Sequence, residues 1–275
     1  MLVLVGVSSV QFGAALAKSL FDEIGAGGTV FLRVLFAAVV LVAVWRPALG
    51  SRSPADWRLI GLFGLCLGGM NLAFYESLDR IPLGVAVTFE FVGPLGVAIA
   101  SSRRALDAVW VVLAAAGIVL LADFGRADLD GLGVALALVA AGFWAAYILL
   151  TVRVGSTFPG GSGLALAMVA AAAMLVPVGV ADAGSDLLVP GVLAVAAAVA
   201  ILSSAIPYTL EMEALRRMPT GVFGVMMSIE PAVAAVAGFI VLDEGLATRE
   251  LIAILLVVTA SAGAARNARV PPRDA

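Results

Sequence analysis

Long apolar stretches alternate with short polar breaks along almost the whole chain. Most stretches come close to the roughly 20 residues that a helix needs to cross the hydrocarbon core of a bilayer. The pattern therefore predicts ten membrane-spanning helices joined by short loops. The expected spans are 2–20, 30–45, 57–78, 82–100, 108–122, 131–152, 163–180, 189–210, 219–242 and 249–265.

The charges in the breaks alternate between the two sides of the predicted membrane. Even-numbered breaks and the C-terminal tail carry most of the arginines, whereas odd-numbered breaks carry mostly aspartate and glutamate. Cytoplasmic loops are enriched in lysine and arginine, so both termini are expected in the cytoplasm. The first span is expected to be retained rather than cleaved as a signal peptide, because no basic segment precedes it.

Two halves of the chain share a motif. Residues 76–84 (ESLDRIPLG) match residues 213–221 (EALRRMPTG) at glutamate, leucine, arginine, proline and glycine, and the same spacing pairs Pro94 with Pro231. Five spans per half is an odd number, so the second copy would enter the membrane inverted, as in many secondary transporters. The predicted units are residues 1–125, residues 126–265 and a short cytoplasmic tail, 266–275.

Composition agrees with the pattern. Hydrophobic residues make up 63% of the chain and charged residues 13%, against about 25% charged residues in soluble domains. With 16 basic and 19 acidic residues, the chain has no basic excess with which to hold nucleic acid. The predicted fold class is an all-α polytopic protein in a lipid bilayer.

The chain contains no histidine and a single cysteine, Cys66. Histidine-based metal sites and Ser-His or Cys-His catalytic pairs are therefore excluded, and an internal disulfide cannot form. We expect no metal, no cofactor and no catalytic residue.

Two glutamates, Glu90 and Glu230, lie near the middle of predicted spans. A carboxylate at that depth is costly unless it faces a cavity or a partner. Each is close to a proline, Pro94 or Pro231, which is expected to kink its helix and free a backbone carbonyl. We expect the two acids to bind an ammonium group, a proton, or both in alternation, because burial favours the protonated form of a carboxyl group.

Two basic residues, Lys18 and Arg33, belong to no predicted cytoplasmic loop and are expected at the outer ends of spans one and two. Either could pair with Glu90 or Glu230, bind a substrate carboxylate, or extend to the membrane interface. Other polar residues could line a polar path or hydrogen-bond neighbouring helices. They are Gln11, Asn71, Tyr147 and Tyr208.

Several segments resemble the drug/metabolite transporter superfamily of the EamA type, and within it the bacterial exporters of threonine and homoserine. The resemblance covers nearly the whole chain and is most specific in 82–104 (PLGVAVTFEFVGPLGVAIASSRR) and 200–230. The segments are 11–21, 67–78, 82–104, 107–114, 200–224 and 226–242.

The resemblance implies ten helices in two inverted repeats in a bacterial inner membrane. It also implies export of a small amino acid in exchange for protons. It includes Lys18, Glu90 and Glu230 among its motif positions. The sequence allows either a monomer or a homodimer.

Three alternatives remain open at this point. The substrate could be a purine, an aromatic drug or a sugar derivative, although aromatic residues make up only 7% of the chain. An intramembrane enzyme would be limited to a paired-carboxylate site. Rings of like charge and symmetric oligomers would favour a channel, whereas an internal inverted repeat favours a self-contained carrier.

Overall fold

The computed structural model describes residues 2–50, 52–100, 107–122, 130–208, 210 and 227–267. Every regular element within these ranges is helical, in agreement with the apolar pattern. The α-helices are α1 (Leu2–Lys18), α2 (Phe21–Trp45), α3 (Pro54–Leu78), α4 (Leu83–Glu90), α5 (Val92–Ala100), α6 (Asp107–Ala122), α7 (Gly131–Thr157), α8 (Ser162–Ala183), α9 (Pro190–Ala200), α10 (Glu230–Leu242) and α11 (Thr248–Asn267). A 3-10 turn, Gly184–Leu188, follows α8.

Five described segments are long and apolar enough to cross a membrane. They are Phe21–Trp45, Pro54–Leu78, Gly131–Thr157, Ser162–Leu188 and Pro190–Tyr208, with mean hydropathy between 1.4 and 2.4. Shorter apolar helices cover Leu2–Lys18, Leu83–Val97 and Glu230–Leu242. Residues 213–221, the second copy of the shared motif, and the start of the predicted ninth span lie outside the described residues.

The outer surface of the bundle is apolar. Val112 is 66% exposed, Val152 73% and Phe239 63%, each on a different helix. Water-soluble monomers rarely expose large apolar surfaces, whereas such side chains suit contact with lipid. The structure is thus an all-helical, multi-pass membrane protein.

Helix α2 begins much earlier than predicted. The sequence pattern placed its start at residue 30, but the helix begins at Phe21 because Asp22 and Glu23 fit its first turn, where carboxylates interact favourably with the helix dipole. A kink at Gly25, whose φ is 67°, redirects the chain, and the backbone N–H of Gly27 then donates to the Asp182 carboxylate at 3.0 Å.

The predicted fourth span is broken into two helices. Helix α4 ends at Glu90 and α5 starts at Val92. Because Pro94 has no N–H group, the carbonyl of Glu90 cannot receive the usual bond from the residue four positions later. The break therefore lies beside the buried carboxyl group.

Helix α9 continues into a π-helical turn, Ile201–Ala205. Pro207, two residues beyond this turn, leaves carbonyl groups of the turn without a backbone donor. Lacking an N–H group, Pro207 can donate neither to the carbonyl of Ser203, as in an α-helix, nor to that of Leu202, as in a π-helix. Two backbone acceptors in the middle of the bundle are thus available to side chains of other helices.

The helices contact one another in a reciprocal pattern. Helix α2 packs along α8, and α6 along α11. Helix α3 packs against α7 and α8, while α9 and its π-turn pack against α1 and α2. Helix α10 packs against α1 and α4, and α7 packs against α4 and α5. The helices of the two halves correspond in chain order: α1 to α7, α2 to α8, α3 to α9, α4 with α5 to α10, and α6 to α11. When each helix is replaced by its counterpart, every contact named here becomes itself or another contact of the same set.

Candidate functional site

Buried polar side chains from six segments lie near the middle of the bundle. Arg33 is 6% exposed, Glu90 8% and Glu230 6%. Such groups are costly in a membrane protein and indicate a functional site. The buried polar residues that the site draws on are Gln11, Arg33, Asn71, Tyr75, Glu90, Ser203, Ser204 and Glu230.

Arg33 is the centre of the larger network. Its Nη1 donates to Asn71 Oδ1 at 2.7 Å, and its Nη2 donates to the backbone carbonyl of Ser203 at 3.0 Å. The Asn71 amide is itself oriented, since its Nδ2 donates to the carbonyl of Leu67 at 2.8 Å. The guanidinium lies 5.1 Å from the centre of the Tyr75 ring. Helices α2 and α3 and the π-turn therefore hold one cation through neutral acceptors.

The position expected for Arg33 from the sequence is wrong. The residue was expected at the outer end of its span, but it lies in the middle of α2, because that helix starts at Phe21. Glu90 is near enough to interact electrostatically with Arg33, although no hydrogen bond joins the two side chains. The structure thus brings Arg33 and Glu90 into one region.

A second network joins α1 to α10. Gln11 Nε2 donates to Glu230 Oε1 at 2.9 Å. Glu230 is the first residue of α10 and Pro231 lies in the same first turn, a position where a carboxylate interacts favourably with the helix dipole. Two residues before Gln11, the Ser9 hydroxyl donates to the freed carbonyl of Leu202 at 2.7 Å. The two networks therefore meet at the π-turn.

Close packing of α1 against the π-turn depends on a glycine. A Cβ atom at Gly13 would overlap the Ser203 hydroxyl and come within 2.9 Å of the Leu202 side chain. Glycine at this position lets the hydroxyl of Ser203 remain between α1 and α3. That hydroxyl lies beside the Tyr75 hydroxyl.

Lys18 is not brought together with the central acids. Its Nζ forms an ion pair with Glu244 Oε1 at 2.6 Å, and Glu244 Oε2 accepts a hydrogen bond from the backbone N–H of Leu83 at 2.9 Å. Lys18 is seven residues beyond Gln11, or about 10 Å along α1. The pair therefore joins the ends of α1, α4 and α10.

The two tyrosines of the sequence analysis lie on α7 and just after the π-turn. The Tyr147 ring of α7 stacks on that of Phe63 in α3, with centroids 5.3 Å apart. Tyr208 is half-buried directly after Pro207.

A groove of about 480 Å³ runs between α5 and α7, apart from both polar networks. It is lined by small and apolar residues, and Gly93 allows the close approach because its Cβ would overlap the Ala141 carbonyl. The groove therefore lacks the charges that an amino acid would need.

Sequence reasoning missed Tyr75, Ser203, Pro207 and Glu244. Pro207 could have been found by the argument applied to Pro94, since it also interrupts an apolar span. Ser203 could have been found as a polar residue within the same apolar span. Tyr75 and Glu244 gain their importance only from contacts between distant parts of the chain.

Comparison with known proteins places these features in context. Residues 131–265 match the EamA-like transporter family. The chain is 44% identical over 276 residues to the threonine/homoserine exporter RhtA of Salmonella typhimurium SL1344, covering 99% of this chain and 93% of that protein. It is 45% identical over 271 residues to the protein of the same name from Escherichia coli K12, covering 98% and 91%. A solved crystal structure, 20% identical, superposes with a TM-score of 0.63 over 96% of each chain, a likeness of fold.

Proposed function

The chain belongs to the EamA-like transporter family, and we propose that it exports small amino acids of the threonine and homoserine type. The observation that carries this proposal is the 44–45% identity, over nearly the full length, to exporters named for those substrates. These relatives are transporters rather than enzymes. They also favour an amino acid over a purine, an aromatic drug or a sugar derivative.

For the architecture, we propose ten spans in two inverted repeats, residues 1–125 and 126–265, followed by the tail 266–275. The reciprocal helix contacts support this arrangement, because an inverted repeat requires each contact to have a counterpart. The family match over 131–265 falls entirely within the second unit.

For location, we propose the bacterial inner membrane with both termini in the cytoplasm. The support is the alternation of arginine-rich and acid-rich breaks. In this orientation the ion pair between Lys18 and Glu244 lies at the outer face, and the central polar networks lie between the two faces. Lys18 is then part of an outer closure rather than of the substrate site.

For the substrate site, we propose the region between the two polar networks. An amino acid carries an ammonium group and a carboxylate, and this region offers two acids, Glu90 and Glu230, together with the cation Arg33. Gln11 and Asn71 orient Glu230 and Arg33 respectively. One chain supplies all these groups, so a monomer or each half of a homodimer would contain a complete site.

We further propose proton antiport. A protonated carboxyl group no longer attracts an ammonium group, so proton and substrate would exclude each other at Glu90 or Glu230. A proton that enters from outside would release the amino acid outward, and loss of that proton to the cytoplasm would restore the binding site.

Resistance of bacteria to inhibitory threonine and homoserine tests these proposals. Cells that produce the parent chain should gain resistance and hold less intracellular amino acid, whereas Glu90→Gln and Glu230→Gln should lose both effects. Glu76→Gln is a matched control, because the Glu76 carboxylate is partly exposed and pairs with Arg80 at 2.8 Å. If both central variants export normally, the proton mechanism is wrong. If the parent chain, once produced, moves neither solute, the substrate assignment is wrong.

A further inference from the structure

We propose that the free edge of the Arg33 guanidinium and the hydroxyl groups of Tyr75 and Ser203 form the subsite for the carboxylate of the exported amino acid. This inference rests on the proposed function and deepens it. It assigns binding roles to two hydroxyl groups and predicts which chemical group of the substrate they recognise.

The guanidinium is held on one side and free on the other. A guanidinium has five N–H donors in a planar fork, and the structure engages Nη1 with Asn71 and Nη2 with the Ser203 carbonyl. The N–H of Nε is buried and has no acceptor. A carboxylate binds two adjacent N–H groups of such a fork in parallel, so the Nε edge is the one left for a ligand.

Two hydroxyl groups extend this edge. The Tyr75 hydroxyl lies beside the Arg33 guanidinium and beside the Ser203 hydroxyl, and neither hydroxyl makes a hydrogen bond of good geometry. Tyr75 is 0% and Ser203 1% exposed. Buried polar groups in native proteins are almost always hydrogen-bonded. The Nε–H of the guanidinium and these two hydroxyl groups are therefore three donors suited to an anion with several acceptor positions.

The charge of Arg33 points to the same ligand. Its hydrogen-bond acceptors are an amide oxygen and a backbone carbonyl, both neutral, and Glu90 interacts with it only over a distance. A buried charge that lacks a hydrogen-bonded counter-ion is costly. An amino-acid carboxylate at the Nε edge would supply that counter-ion.

The backbone of the π-turn shapes this subsite. Pro207 frees the Ser203 carbonyl to hold Nη2, and Gly13 leaves room for the Ser203 hydroxyl. Ser203 therefore anchors the guanidinium through its backbone and offers its side chain to the ligand. Single π-turns within α-helices occur frequently at functional sites.

The test compares a ligand that has a carboxylate with one that lacks it. Purified full-length protein in proteoliposomes would transport radiolabelled homoserine in competition with threonine or with threonine amide. We expect the parent to prefer threonine. Ser203→Ala and Tyr75→Phe should each weaken inhibition by threonine about tenfold and leave inhibition by threonine amide within about twofold. Loss of this discrimination is an effect that a structural role alone would not produce.

Ser77→Ala is the matched control. Ser77 is also a fully buried serine whose hydroxyl has no partner, and it lies two residues from Tyr75, about 200° around α3. This variant should keep the parent's preference. Thermal shift of the purified variants with threonine and with threonine amide gives the same comparison without transport.

Equal changes for both ligands, or no change for either, in Ser203→Ala and Tyr75→Phe would overturn the carboxylate subsite while the transporter assignment stands. A parent that transports homoserine but does not distinguish threonine from its amide would also overturn it. A parent that binds and transports neither amino acid would instead overturn the proposed function, and the subsite with it.

Discussion

Lys18 and Glu244, which are separated by more than two hundred residues, form an ion pair of 2.6 Å that joins the end of α1 to the segment after α10. The second carboxylate oxygen of Glu244 accepts from the Leu83 N–H at the start of α4. Gly238 of α10 lies against the same carboxylate, with a Cβ there only 2.7 Å from Oε2. One carboxylate thus connects three helix ends.

This geometry predicts unequal effects for the two partners. Glu244→Ala removes the ion pair and leaves the Leu83 N–H without its acceptor, so it should lower stability by about 1–3 kcal/mol. Lys18→Met removes only a partly exposed ion pair and should cost at most about 1 kcal/mol. Thermal unfolding of the detergent-solubilised variants measures the difference. Equal losses in both would show that the bond to Leu83 contributes nothing.

Release of substrate outward should require these helix ends to separate. A short bifunctional thiol reagent that links Lys18→Cys to Glu244→Cys, in a Cys66→Ala background, should therefore stop export. The same reagent should have no effect on either single cysteine variant. Efflux of labelled homoserine gives the readout, and undiminished efflux from the cross-linked protein would show that the outer ends do not move apart.

Gly13 should tolerate no side chain. Gly13→Ala should lower stability by about 1–3 kcal/mol and reduce transport, because the methyl group would press on Leu202 and Ser203. Gly61→Ala is the control: its Cβ would meet nothing within 4 Å, so it should leave transport intact and raise stability by up to about 1 kcal/mol. The same effect of both substitutions on the unfolding temperature would contradict the close packing.

Export should depend on Pro207, because this residue has no N–H group to donate to the Ser203 carbonyl. Pro207→Ala supplies an N–H group that competes with Arg33 for the Ser203 carbonyl, so export should fall at least about fivefold while the amount of folded protein is unchanged. Pro190→Ala is the control, because Pro190 begins α9, where a missing N–H has no consequence. Normal export by Pro207→Ala would show that the freed carbonyl is dispensable.

The sequence allowed the helical class and most spans to be predicted, because an apolar stretch of membrane length has few other interpretations. The start of α2 was missed for a physical reason. Asp22 and Glu23 read as a polar break, yet acids are favourable in the first turn of a helix. That error displaced Arg33 from the middle of its helix to the end.

The site could be predicted only as a set of residue types at a certain depth. Glu90, Glu230, Gln11 and Asn71 stood out as polar residues within apolar spans. Which of them meet was not predictable, because Gln11 and Glu230 come together only through the packing of α1 on α10. For the same reason the sequence left the partner of Lys18 open, and Glu244 was not among the partners considered.

The positions of the Arg33 partners in the sequence also determine the order in which its hydrogen bonds can form during synthesis. Helix α2 is apolar enough to enter the membrane early in synthesis, with a mean hydropathy of 2.3 over its best window, although an arginine at its centre costs about 2.5–3.5 kcal/mol at insertion. Asn71 emerges from the ribosome soon afterwards, but the Ser203 carbonyl follows 170 residues later. The first half of the chain is therefore synthesised before Arg33 can donate to the Ser203 carbonyl. That hydrogen bond forms only after the second half has entered the membrane.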